Sequence, residues 1–145
     1  MNIFFDVDFT WLGLDQSLRP GTHETMQRLL ADGHKIYIWS GVGIRWPEVH
    51  QHRLTPYVTD CFVKPLSQYA ERVAQMDLPV WPDLVIDDFP EVPAALGGFW
   101  IRPYFYFSNT DDEMEVIYRL ITEVARTGRS ADRRFKPKPL NGASA

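Results

Sequence analysis

Short runs of consecutive apolar residues alternate along this chain with stretches of helical periodicity, and that alternation leaves few folds open. Ile36-Tyr37-Ile38-Trp39 is the clearest run, and Ile3-Phe4-Phe5 and Leu84-Val85-Ile86 resemble it. A strand with one wet face alternates apolar and polar residues, whereas an unbroken apolar run suits a strand covered on both faces, as in a parallel sheet. The segments between have helical spacing. Thr22 can cap a helix whose Met26, Leu29 and Leu30 share one face and which stops at Gly33. Ser67 precedes a stripe of Tyr69, Ala70, Val73 and Met76, with Leu66 beside it. Asp111-Asp112-Glu113 opens a helix to about residue 126 on Met114, Ile117, Leu120, Ile121 and Val124.

With strands predicted at 2–6, 35–39, 60–63, 83–87 and within 99–107, and a short helix at 46–53, the pattern is that of βαβ units. The predicted fold class is α/β: a Rossmann-like three-layer αβα sandwich with a mostly parallel central sheet of about five strands and no large cap domain. A length of 145 residues fits one domain, assigned to residues 1–126. Residues 127–145 are expected to form a basic, flexible tail.

Charge divides the same way. Residues 126–145 hold six Arg/Lys against one Asp, a net of +5 within a chain whose total is −4, so the remainder carries −9. An acidic body argues against broad nucleic-acid binding through the fold, which leaves nucleic acid as a substrate or as a contact of the tail. Cys61 is the one cysteine, so no internal disulfide exists. The longest uncharged stretch, 92–101, is too short for a membrane span and contains Pro93. With no apolar leader at the start, a reducing, cytoplasmic setting without membrane partners is expected.

In open α/β sheets ligands bind beyond the carboxyl ends of the strands. Polar residues follow the apolar runs at four such places: Asp6-Val7-Asp8-Phe9-Thr10, Ser40-Gly41, Lys64-Pro65 and Asp87-Asp88. Four carboxylates at one rim repel each other unless a cation compensates them, and hard oxygen donors suit Mg²⁺. Each residue taken alone has an ordinary explanation as a turn or surface charge. The succession of all four does not.

That succession, Asp-x-Asp-x-Thr, then Ser, then Lys, then an acidic pair, resembles the haloacid dehalogenase-like superfamily from Ile3 to about Asp88. The resemblance implies a Mg²⁺-dependent phosphomonoesterase. Asp6 is then similar to the nucleophile that forms an aspartyl-phosphate, and Asp8 to the general acid/base. Ser40 and Lys64 complete the implied catalytic set. Ser40, Gly41, Lys64 and Thr10 are the implied substrate-side residues, with Thr10 also shaping its turn; Arg45, just beyond Ser40-Gly41-Val42-Gly43, is a substrate-side candidate by its position, with packing as its alternative use. The implied metal ligands are Asp6, Asp8 through its main-chain carbonyl, Asp87 and Asp88, the last directly or through water.

Asp8 matters because members that cleave carbon–halogen bonds lack it, so phosphoryl chemistry is favoured over dehalogenation. Phe9 stands where the family often has Gly, so either a stiffer loop after the first strand or a Phe9 that faces the substrate is expected. Only 31 residues separate Asp8 from Ser40 and 23 separate Ser40 from Lys64, which leaves no room for a cap in either gap. A capless site implies a macromolecular substrate or coverage by a second subunit in a homo-oligomer. The phosphorylated substrate itself, whether small metabolite, nucleotide or macromolecular end, stays open. The response-regulator receiver domain uses similar groups, but it places its acidic pair after the first strand and its Lys late. A non-hydrolytic module that binds a phosphorylated ligand or partner is the competing function. Trp11 and Trp46 read as packing residues. His23, His34, His50 and His52 form no metal set, since His50 and His52 point to different sides of a helix.

Overall fold

The computed structural model describes residues 1–140. Six strands form one sheet: β1 (Asn2–Phe5), β2 (Lys35–Ser40), β3 (Val58–Val63), β4 (Leu84–Asp87), β5 (Gly98–Trp100) and β6 (Phe135–Lys136). Their order is β3-β2-β1-β4-β5-β6, and every pairing is parallel except β5 with β6. The chain winds outward from β1 in one direction, then crosses back to β4 and winds in the other. The order therefore reverses between β1 and β4, which is where a doubly wound sheet opens a crevice.

The apolar runs are buried on both faces because helices cover both. Along β1, β2 and β4, Ile3, Phe5, Ile36, Ile38, Leu84 and Ile86 face one side, against α1 (Thr22–Ala31), α2 (Trp46–Gln51) and α5 (Glu113–Thr127). Phe4, Tyr37, Trp39 and Val85 face the other, against α3 (Tyr69–Gln75) and α4 (Glu91–Leu96). Phe4 packs edge-on to Trp39 with centroids 5.0 Å apart. Strand alternation thus sorts one continuous apolar run into two cores.

Several local readings shift. Gly21, with φ of +84°, precedes α1, and the Thr22 hydroxyl donates to the Arg19 carbonyl at 2.8 Å from inside the first turn. Gln68, not Ser67, precedes α3. The fifth strand, expected within 99–107, starts one residue earlier and is short: the chain leaves the sheet before Pro103 and only Gly98–Trp100 pairs. Gly98 has φ of +144°, and a Cβ there would meet the Val85 carbonyl oxygen at 2.0 Å, so β5 reaches β4 only without a side chain at this position. The short helix α4 and strand β6 were not foreseen.

The basic segment after residue 126, expected to run free, instead returns to the sheet through residue 136. Phe135 packs on Phe99 with centroids 5.3 Å apart, Trp100 N–H donates to the Arg134 carbonyl, and Arg134 pairs with buried Glu113 at 3.0 Å. Residues 141–145, the remainder of that expected tail, lie outside the described residues. Among the described residues no segment forms a cap domain, and no helix is long and apolar enough to cross a membrane.

Candidate functional site

Because β1 and β4 are neighbours in register, with Phe5 opposite Ile86, their next residues Asp6 and Asp87 emerge side by side at the crevice. The Asp6 amide donates to the Ile86 carbonyl at 3.0 Å, so the backbone fixes the first carboxylate. Ser40 ends β2, and the Lys64 amide donates to the Ser40 carbonyl at 2.9 Å, which brings the end of β3 to the same edge. Four separate strand ends thus deliver the four motifs to one place. The cleft they line, about 280 Å³, includes Asp6, Asp8, Ser40, Gly41, Lys64, Asp87 and Asp88. A depression of about 350 Å³ behind Lys64, between Val63 and Met76, carries no carboxylate.

Lys64 is the electrostatic centre. Its Nζ donates to Asp6 Oδ1 at 2.9 Å and to Asp87 Oδ2 at 2.8 Å. Burial pushes the Lys64 ammonium down, but the two carboxylates outweigh burial and hold it well above its ordinary value. The other oxygen of each carboxylate is also engaged: Thr10 Oγ1 donates to Asp6 Oδ2 at 3.1 Å, and the Phe89 amide donates to Asp87 Oδ1 at 2.9 Å. Thr10 is fully buried, so its hydroxyl serves Asp6.

One ammonium is not enough for the charge present. Asp6, Asp87 and Asp88 bring carboxylate oxygens within 4.8 Å of one another. Burial, with Asp6 close by, pushes the Asp87 carboxyl up to about 6. Burial and the adjacent Asp6 push Asp88 up to about 8. Such shifts mark a site short of positive charge. Three hard oxygen donors, converging and under-compensated, fit Mg²⁺, with Asp6, Asp87 and Asp88 as the side chains to hold it.

Asp8 is set apart from this cluster. Arg45 grips it with two nitrogens, Nη1 to Oδ2 at 2.6 Å and Nη2 to Oδ1 at 3.1 Å, while Nη1 also reaches Ser40 Oγ at 3.1 Å. Arg45 Nε pairs with Glu48 at 3.2 Å. Arg45 thus stands at the site, between acid/base candidate and hydroxyl. Gly41 lines the cleft as expected. Trp11 is fully buried, and Trp46 packs against the core. Cys61 is buried, and burial pushes its thiol up to about 12, which removes it as a nucleophile.

One feature follows from the departure at Phe9, and one escaped the sequence reading. Phe9 takes a left-handed conformation, φ +67°, and its ring tilts against Phe105 with centroids 5.3 Å apart. The glycine-like backbone of the first motif is therefore kept with an aromatic side chain, at a cost of ~1–2 kcal/mol. Arg19 is fully buried, donates to the Thr10 carbonyl at 3.1 Å and pairs through two nitrogens with Asp111 at 2.8 and 3.0 Å. It ties the loop after β1 to the segment that leads into α5. A lone Arg far from any motif gives no sequence signal for that role. Compared with family models, curated proteins and solved structures, the chain matches none.

Proposed function

We propose that this protein is a Mg²⁺-dependent phosphohydrolase that cleaves phosphate monoesters through an aspartyl-phosphate on Asp6. The observation that carries the reading is Lys64 Nζ held between Asp6 and Asp87, at 2.9 and 2.8 Å, at the switch point of the sheet. A carboxylate fixed by the backbone, flanked by an ammonium and two further carboxylates, is equipped to attack an anion once that anion's charge is offset.

An Asp6 oxygen forms the new bond to phosphorus while the ester P–O bond breaks and its electron pair leaves on the alcohol oxygen, which takes a proton from Asp8. Water then attacks the phosphoryl group, gives its proton to Asp8, and Asp6 departs as carboxylate with inorganic phosphate as product. Lys64, Ser40 Oγ and the Arg45 guanidinium offset charge on the transferring oxygens. Thr10 keeps Asp6 oriented. Asp6, the Asp8 carbonyl, Asp87 and Asp88 would hold Mg²⁺, which supplies Lewis-acid compensation for the phosphoryl dianion beside a carboxylate nucleophile.

One observation favours the competing reading of a phospho-ligand binding module: the two-point grip of Arg45 takes Asp8 out of acid/base work while it lasts. Turnover decides between them. Phosphate release from phenyl phosphate should need Mg²⁺ and disappear in Asp6→Asn, and Asp8→Asn should slow release and let phosphoenzyme accumulate. Release that persists in folded Asp6→Asn protein would remove Asp6 as nucleophile.

A further inference from the structure

At each of the four motifs, the residue just outward of the polar group is large and apolar. Phe9 follows Asp8, Val42 follows Ser40-Gly41, Leu66 follows Lys64-Pro65, and Phe89 follows Asp88. All four line the same cleft as the acidic cluster. Val42 is 80% exposed, Leu66 75% and Phe89 51%. Scattered exposed apolar residues are ordinary, but four converging on one polar floor are an apolar patch at a ligand site.

Each is anchored to the floor it surrounds. The Phe89 amide donates to Asp87 Oδ1 at 2.9 Å, and the Val42 amide donates to Ser40 Oγ at 3.2 Å. Leu66 lies over Gly41 so closely that a Cβ on Gly41 would come within 2.5 Å of Leu66 Cδ2. Phe9 is fixed by its own strained backbone, by Phe105 behind it, and by its carbonyl, which accepts from the Tyr104 amide at 2.9 Å. The rim is therefore preorganised along with the polar groups.

A site that handled only hydrophilic phosphate esters gains nothing from such a rim, because sugar hydroxyls brought against it would lose water without finding partners. Two of the four are phenyl rings, which favour stacked or edge-on contact with another ring. The cleft, about 280 Å³, lies just under the ~300–1,000 Å³ of sites for drug-sized ligands, so it suits a phosphoryl group and one ring.

We infer that the substrate is the phosphate monoester of a phenolic alcohol, with its single aromatic ring held between Phe9 and Phe89 and closed in by Leu66 and Val42. This rests on the phosphohydrolase reading. The ring has two sources, a free aryl phosphate or a phosphotyrosyl side chain, and the floor treats the shared phenolic phosphate alike.

The test measures kcat/KM with Mg²⁺ for phenyl phosphate, a phosphotyrosyl peptide, glycerol 3-phosphate and 5′-AMP, in the native protein, Phe89→Ser and Leu66→Ser. Phenolate leaves more readily than alkoxide, so preference alone is not the readout. The readout is the phenyl-to-glyceryl ratio, which should fall about tenfold in Phe89→Ser and several-fold in Leu66→Ser, as loss of apolar contact around a substrate ring does. Both positions are exposed, so the substitutions leave the core intact. A ratio that falls in the variants supports the inference, and the better of the two phenolic substrates then identifies the source, the peptide a polypeptide and phenyl phosphate a small molecule. An unchanged ratio in both variants, or a preference for 5′-AMP, overturns it while the hydrolase reading stands. No release from any ester by folded protein overturns both.

Discussion

Arg45 holds Asp8 by both carboxylate oxygens, at 2.6 and 3.1 Å, and the same Nη1 touches Ser40 Oγ. Both oxygens of Asp8 are committed to a guanidinium that donates to them, so presenting Asp8 to a leaving group requires Arg45 to turn elsewhere. A phosphoryl dianion entering over Ser40 is the natural competitor for a planar guanidinium. Arg45→Ala should therefore raise KM for phenyl phosphate by roughly 10- to 100-fold, the equivalent of the ~1.5–3 kcal/mol of a charged hydrogen bond. Steady-state kinetics check this. A KM unchanged in Arg45→Ala would confine Arg45 to supporting Asp8.

Lys64 carries a different expectation, because its partners are buried and its loss leaves them facing each other. Asp87 is fully buried and Asp6 is 6% exposed. Breaking a buried pair by deleting one partner costs ~3–5 kcal/mol, which for a domain near this size lowers Tm by about 10 °C. Lys64→Met should show that loss in EDTA and regain a good part of it in Mg²⁺, besides losing turnover. Calorimetry with and without the metal measures it, and equal Tm values for Lys64→Met and native protein in EDTA would contradict the central place given to Lys64.

The raised carboxyls make metal binding and stability oppose each other in pH. Asp87 and Asp88 sit at about 6 and about 8 in the folded protein, against ~3.9 for Asp in an unfolded chain. A group held above its unfolded value stabilises most below that value and loses its contribution as pH rises through the folded value. Metal-free protein should thus lose stability from about pH 4 to pH 8. Mg²⁺ is held by ionised carboxylates, so its stabilisation should grow over the same interval, reaching ~2.7 kcal/mol at a hundredfold excess over Kd. Asp88→Asn should raise the metal-free Tm at pH 8 and shrink the Mg²⁺ response. A Mg²⁺ shift that is flat from pH 5 to 8.5 would argue against this site.

The sheet was legible in the sequence because its signal is local: Ile36 to Trp39 cannot be half-exposed, and an apolar run ending on Asp or Ser marks a strand end. Parallel order then obliges those ends to meet, which is why Asp6, Ser40, Lys64 and Asp87 could be picked before any geometry was known. What stayed hidden depends on partners distant in sequence. Glu91–Leu96 forms a helix although Pro93 and a neighbouring Gly pair obscure its period, because Val92 and Leu96 reach the core formed by Phe4 and Trp39. Buried Arg19 becomes intelligible only with Asp111 beside it, and the contact of Phe9 with Phe105 joins residues far apart in the chain.

The C-terminal segment shows the same limit and gives the last prediction. Its charges read as a solvated tail, yet Phe135 covers Phe99 and Arg134 meets Glu113, which is 3% exposed on the first turn of α5. Charge counting cannot distinguish Arg134 from its neighbour Arg133, but burial can. Arg134→Ala leaves the buried Glu113 carboxylate with the Arg102 amide at 3.3 Å and, among the described residues, no cation nearer than the Arg102 guanidinium at 4.0 Å, and should cost about 2 kcal/mol. Arg133 is exposed, and Arg133→Ala should stay within ~0.5 kcal/mol of the native protein. Urea unfolding of the two variants compares residues of equal charge one position apart. If both change stability equally, the segment is free as its composition suggests; if only Arg134→Ala does, β6 and its arginine belong to the folded domain and complete the edge that shields β5.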